Sequence, residues 1–165
     1  MPSNNMDPKK FLTTYLEDFS DLVKPNEEMV EKLAEVADLL KDVHSAGKKT
    51  LIFGNGGSAA IASHFSVDLT KNAGLRCVNF NEADLITCFA NDYGYEHWVA
   101  RAIEFYADPG DLAILISSSG KSHNMVNGAQ QAKNMELSLI TLSGFSSENP
   151  LRKLGDINLW VESQE

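Results

Sequence analysis

Thr50-Leu51-Ile52-Phe53-Gly54-Asn55-Gly56-Gly57-Ser58-Ala59-Ala60 is the stretch that decides the fold. Thr50–Phe53 is a short apolar run of strand-forming residues with no polar face, as expected of a strand buried on both sides. Three glycines follow, and they let the backbone turn sharply and approach a ligand without a Cβ in the way. The small residues after them open a helix whose N-terminus stays accessible to an anion.

Working outward, the same texture repeats. Strands are predicted at Arg76–Phe80, Leu112–Ser117, Leu137–Leu142 and Ile157–Val161, with helices at Ser58–Thr70, Tyr95–Tyr106 and Ser122–Asn134 between them. Apolar strands alternating with helices specify an α/β fold: a three-layer α-β-α sandwich on a five-stranded parallel sheet, of flavodoxin-like type. Upstream, Phe11, Leu12, Tyr15, Leu16, Phe19, Leu22 and Val23 recur at helical spacing, as do Met29, Leu33, Val36, Leu40 and Val43. Pro25-Asn26 separates the two helices, and Gly47 stops the second. Residues 1–47 are therefore two N-terminal helices, for core packing or a subunit interface, in one domain with residues 48–165.

A second loop, Ile116-Ser117-Ser118-Ser119-Gly120-Lys121-Ser122, also lies between a strand and a helix. Four hydroxyls and the loop N–H groups supply the donors that phosphate oxygens require. Open α/β sheets bind ligands at the carboxyl ends of their strands, so two such loops on neighbouring strands point to a phosphate-bearing ligand. Strict GxGxxG and GxxxxGK[ST] fingerprints are absent, which disfavours NAD and ATP.

The net charge of −9, without a dense Lys/Arg stripe, disfavours nucleic acid. No apolar run approaches the roughly 20 residues that cross a bilayer, and Met1-Pro2-Ser3-Asn4-Asn5 shows no secretory signal. Cys77 and Cys88 form neither a CxxC nor a disulfide framework and are read as buried, reduced thiols. A cytoplasmic protein is expected.

The chain resembles the sugar isomerase (SIS) domain family and, within it, the phosphoheptose isomerases. Gly54-Asn55-Gly56-Gly57-Ser58, His64-Phe65-Ser66-Val67-Asp68-Leu69-Thr70, Asn91-Asp92-Tyr93-Gly94-Tyr95-Glu96 and Ile116–Ser122 carry the likeness, in order. It implies conversion of sedoheptulose 7-phosphate to a glycero-manno-heptose 7-phosphate for bacterial lipopolysaccharide heptose synthesis. Ser117, Ser118, Ser119 and Ser122 would cradle the phosphate. Asn55, Gly56, Gly57 and Ser58 would meet the sugar's hydroxyls or carbonyl end, and Asp92 would bond a sugar hydroxyl. The family's members are homotetramers. A non-catalytic SIS protein, acting as a sugar-phosphate sensor or a tetrameric protein-binding scaffold, is the alternative.

Exchanging an aldose and a ketose moves a proton between adjacent carbons through an enediol, which needs a general base. The resemblance places that base at Asp68, where the family has Glu, with His64 as the other catalytic residue. Their i, i+4 spacing puts both on one helix face. His64 and Asp68 would also suit two positions of a zinc site, although no cofactor is required. The family carries a further helix with a catalytic His after the last strand. No counterpart follows Trp160-Val161-Glu162-Ser163-Gln164-Glu165, so the chain is expected to be incomplete and poorly active.

Overall fold

Both N-terminal helices start where local chemistry dictates. A computed structural model of the chain describes residues 7–163. The leader-free reading of Met1–Asn5, and the last two residues Gln164 and Glu165, lie outside the described residues. Helix α1 (Pro8–Leu22) has proline in its first turn, and the Asp7 carboxylate accepts from the Lys9 N–H at 3.1 Å. Helix α2 (Glu27–Ser45) is capped by Asn26, whose Oδ1 accepts from the Met29 N–H at 2.8 Å. Gly47 follows at φ 75°, the left-handed conformation that ends helices.

Five strands then form one parallel sheet: β1 (Thr50–Gly54), β2 (Cys77–Asn79), β3 (Leu112–Ser117), β4 (Ser138–Ser143) and β5 (Ile157–Trp160). Their order is β2-β1-β3-β4-β5. Side chains alternate between the two faces. Ile52, Leu112, Ile114, Ile116 and Ile140 pack against Leu40 and Val43 of α2 and Ala62 of α3 (Gly57–Val67). Leu51, Phe53, Ala113, Leu115 and Leu139 pack on the opposite face against α5 (Trp98–Tyr106) and α6 (His123–Asn134). The predicted three-layer sandwich is what forms.

The chain runs outward from β1 to β2, then crosses back through α4 (Ala83–Tyr93) and α5 to enter β3 on the other side of β1. That reversal opens a crevice between the carboxyl ends of β1 and β3, where sheets of this kind bind ligands. Register fixes the level of its two walls: Gly54 pairs with Ile116, so the two loops leave the sheet level with each other.

Several details differ from the sequence reading. Strand β2 is shorter than Arg76–Phe80 and lies at the sheet edge, where the Thr70 hydroxyl donates to the Cys77 carbonyl at 3.1 Å. Helix α3 ends at Val67 and continues as a π-helical turn over Asp68–Asn72. Helix α5 begins at Trp98 rather than Tyr95, since Gly94 and the turn after it interrupt the helix. Trp98, Val99, Ala102 and Ile103 are core, whereas Phe105 is 56% exposed.

The thiols also differ: Cys88 is exposed on α4 and Cys77 half-buried, and desolvation pushes the Cys77 thiol up to about 12. Finally, α1 contributes nothing to the core, for none of its described residues is buried. Among the described residues no helix is long and apolar enough to cross a membrane.

Candidate active site

Helices α3 and α6 both begin at the crevice, and neither has a side-chain cap. At the start of α3 the N-cap is Gly56, at φ 54° and ψ −119°. At the start of α6 it is Ser122, whose hydroxyl makes no capping bond and lies 3.4 Å from Ser117 Oγ. Orphan N–H groups and the positive ends of two helix dipoles thus meet at one place, an arrangement that attracts an anion.

Loop shape follows from two glycines. A Cβ on Gly54 would overlap the Ser58 backbone, so only glycine lets β1 run directly under the first turn of α3. Gly120 sits at φ 60°, and a Cβ there would overlap the Asn149 side-chain amide. Asn149 is fully buried and ties the loop after β4 beneath the serine loop. Its Nδ2 donates to Ser143 Oγ at 3.0 Å and to the Ser146 carbonyl at 2.9 Å. The backbone adds two further bonds, Gly144 N–H to Ser118 O and Leu151 N–H to Gly120 O. The serine loop is therefore held from below while Ser118, Ser119 and Ser122 stay at least partly accessible. Ser117 is buried, Ser119 and Ser122 half-buried and Ser118 exposed.

The two loops are joined by side chains. Asn55 and Asn124 form a reciprocal amide pair: Asn55 Nδ2 donates to Asn124 Oδ1 at 3.0 Å, and Asn124 Nδ2 donates to Asn55 Oδ1 at 2.9 Å. The Tyr95 hydroxyl adds a third bond to Asn55 Oδ1 at 3.2 Å. Asn124 lies outside the segments that carry the resemblance and Tyr95 lies inside one without a stated role, and only the juxtaposition of the loops gives them one. Asn55, Gly56, Gly57, Ser58, Ser117, Ser118, Ser119 and Ser122 thus come together as one crevice.

The remaining sequence-predicted residues stand apart from that cluster. His64 and Asp68 lie on one face of the helical segment, with His64 Nε2 3.5 Å from Asp68 Oδ2. At 1.5 Å rise per residue His64 is about 10 Å along α3 from Gly57. Their side chains are 81% and 45% exposed, so both can still meet a ligand or another subunit. Asn72 Nδ2 donates to Asp68 Oδ1 at 2.9 Å across the π-helical turn, which orients the carboxylate. Asp92, near the end of α4, accepts from Asn91 and Cys88 of its own helix. It bonds neither loop. Zinc takes about four ligands. Among the described residues no three His, Cys, Asp or Glu side chains gather, so His64 and Asp68 do not make a zinc site by themselves.

The SIS domain pattern matches residues 14–144. A probable phosphoheptose isomerase of Thermoplasma acidophilum is 37% identical, with 81% of this chain and 76% of that protein covered. The phosphoheptose isomerase of Aliarcobacter butzleri is 35% identical, covering 95% of this chain and 84% of that protein. The solved structure of a phosphoheptose isomerase from Francisella tularensis superposes with a TM-score of 0.86 at 26% identity. That match spans 97% of this chain and 88% of the other.

Proposed function

The chain belongs to the SIS domain family, and on that premise we propose that it is a sugar-phosphate isomerase converting sedoheptulose 7-phosphate to a glycero-manno-heptose 7-phosphate. The observation that carries this reading is the register of β1 against β3, which brings a glycine turn and a serine loop together at the topological switch point. The similarity to phosphoheptose isomerases over most of the chain supports catalysis over the sensor or scaffold alternative.

Ser117, Ser118, Ser119 and Ser122 bind the phosphate, helped by the α6 N-terminus. Asn55, Gly56, Gly57 and Ser58 face the sugar, and Asp92 serves a hydroxyl. Asp68 takes a proton from C1 of the ketose. The C–H electron pair becomes the C1–C2 double bond of the enediol, and the C2 carbonyl oxygen takes a proton from water. Asp68 then returns its proton to C2 as the C1 hydroxyl gives its proton to water and becomes the aldehyde. His64 lies beside Asp68, with Nε2 3.5 Å from Oδ2, and faces the same ligand. The product is an intermediate of lipopolysaccharide heptose synthesis, the setting is the cytoplasm, and the assembly is a homotetramer.

Incubation of the chain with sedoheptulose 7-phosphate in deuterated water tests the reading. An aldose heptose phosphate bearing deuterium at C2 is expected, because a proton held on a carboxylate exchanges with solvent. Neither product nor deuterium uptake into the substrate would overturn it.

A further inference from the structure

The Asn55–Asn124 pair limits what Asn55 can offer a ligand. A primary amide has two acceptor positions on its oxygen and two donor hydrogens on its nitrogen. Both positions on Asn55 Oδ1 are taken, by Asn124 Nδ2 at 2.9 Å and by the Tyr95 hydroxyl at 3.2 Å. One hydrogen of Asn55 Nδ2 is engaged by Asn124 Oδ1 at 3.0 Å. A single N–H remains. Asn124 is only 3% exposed, at the start of α6, and its amide is held in place by the same pair.

We infer that Asn124 is a positioning residue which, with Tyr95, fixes Asn55 as a one-hydrogen donor to the substrate's carbonyl oxygen, the oxygen that becomes negative in the enediolate. Resting on the isomerase reading, this deepens it: Asn55 discriminates for an acceptor oxygen and cannot accept from a sugar hydroxyl. A fixed donor is worth most where charge develops, because it needs no reorganisation as the C–H bond breaks. Asn124 touches no reacting atom. Its part is to keep Asn55 from rotating its amide and presenting an oxygen instead.

The decisive variant is Asn124→Asp. Ionised, the new side chain can accept from Asn55 Nδ2 but cannot donate to Asn55 Oδ1. Protonated, a carboxyl group donates and accepts as the amide did, so the pair re-forms. The full chain and its variant are compared for turnover of sedoheptulose 7-phosphate from pH 8 to pH 4.5, each rate taken as a ratio to wild type at the same pH. At pH 8 the expected ratio of kcat is about 0.1 or less, the scale of losing alignment of a charge-stabilising donor. KM should stay within about threefold, and the affinity for inorganic phosphate should not change. The ratio should rise several-fold toward pH 4.5, a recovery that a general loss of packing would not produce. Tyr95→Phe, at a side chain 53% exposed, tests the same assembly without a folding risk and should lower kcat with KM unchanged. A wild-type kcat for Asn124→Asp, or a ratio independent of pH, would overturn the inference alone. Absence of wild-type turnover would overturn the isomerase reading, and this inference with it.

Discussion

At the residue scale the outcome hinges on a carboxylate and a glycine. Asp68 stands one methylene shorter than the family's Glu, but its position is set by Asn72 across a π-helical turn rather than by an ordinary helix. Such turns are frequent at functional sites, where they re-aim a side chain. Asp68→Asn keeps the shape and removes the proposed base, so kcat for the sugar phosphate should fall about 100- to 10,000-fold with the fold intact by circular dichroism. Gly120 carries the opposite kind of constraint. Alanine there combines a left-handed backbone with a clash against buried Asn149, at a cost of about 1–3 kcal/mol from backbone strain alone. Urea unfolding of Gly120→Ala should show that loss, and phosphate affinity should fall because the serine loop loses its shape. The importance of Gly120 is legible in the sequence as a loop glycine. Its reason is not, since Asn149 lies 29 positions away and arrives only through the sheet.

At the element scale, the amino ends of β1 and β3 are fastened opposite the active site. Lys49 Nζ lies 2.6 Å from both Asp108 and Asp111, and Asp111 is 1% exposed. The Lys49 backbone N–H also donates to Asp111 Oδ1 at 3.0 Å. Burial works against the Lys49 charge, yet hydrogen bonds to Asp108 and Asp111 hold its pKa above the ordinary 10.5. A raised value means that the contribution is complete below about pH 10 and disappears as pH climbs through the folded-state value. The hydrogen bond from Lys49 likewise holds Asp108 below its ordinary 3.8, so that part persists at neutral pH and is lost under stronger acid. Lys49→Met leaves a buried carboxylate without its cation and should cost about 3 kcal/mol at pH 7. Measured by urea unfolding, its deficit against wild type should shrink as pH rises above the ordinary lysine value of 10.5. The strands, their order of appearance and helices α3, α5 and α6 were readable from apolar runs and breakers. Helix α4 is not among the helices read from the sequence, although Leu85, Ile86 and Phe89 recur at helical spacing and form one apolar face packed against the core.

For the whole molecule, α1 poses the main question. Phe11, Leu12, Tyr15, Leu16, Phe19 and Val23 are all between 41% and 61% exposed, and Val30 and Leu33 of α2 are also open. Contiguous apolar surface of this kind marks an association site. In the proposed homotetramer this face is covered, so Leu16→Glu with Phe19→Glu should shift the species seen by light scattering toward dimer or monomer while the SIS core stays folded. What the sequence by itself determined was local. Apolar run length, glycine position and helical spacing specify parallel strands, two ligand loops and a His64–Asp68 helix face, because each depends on neighbours within a few residues. The tertiary structure alone decided which groups meet across the crevice: the Asn55–Asn124–Tyr95 cluster and the Asn149 support under Gly120. Strand order and register set those meetings, and both arise from packing between segments dozens of residues apart, which no local pattern encodes.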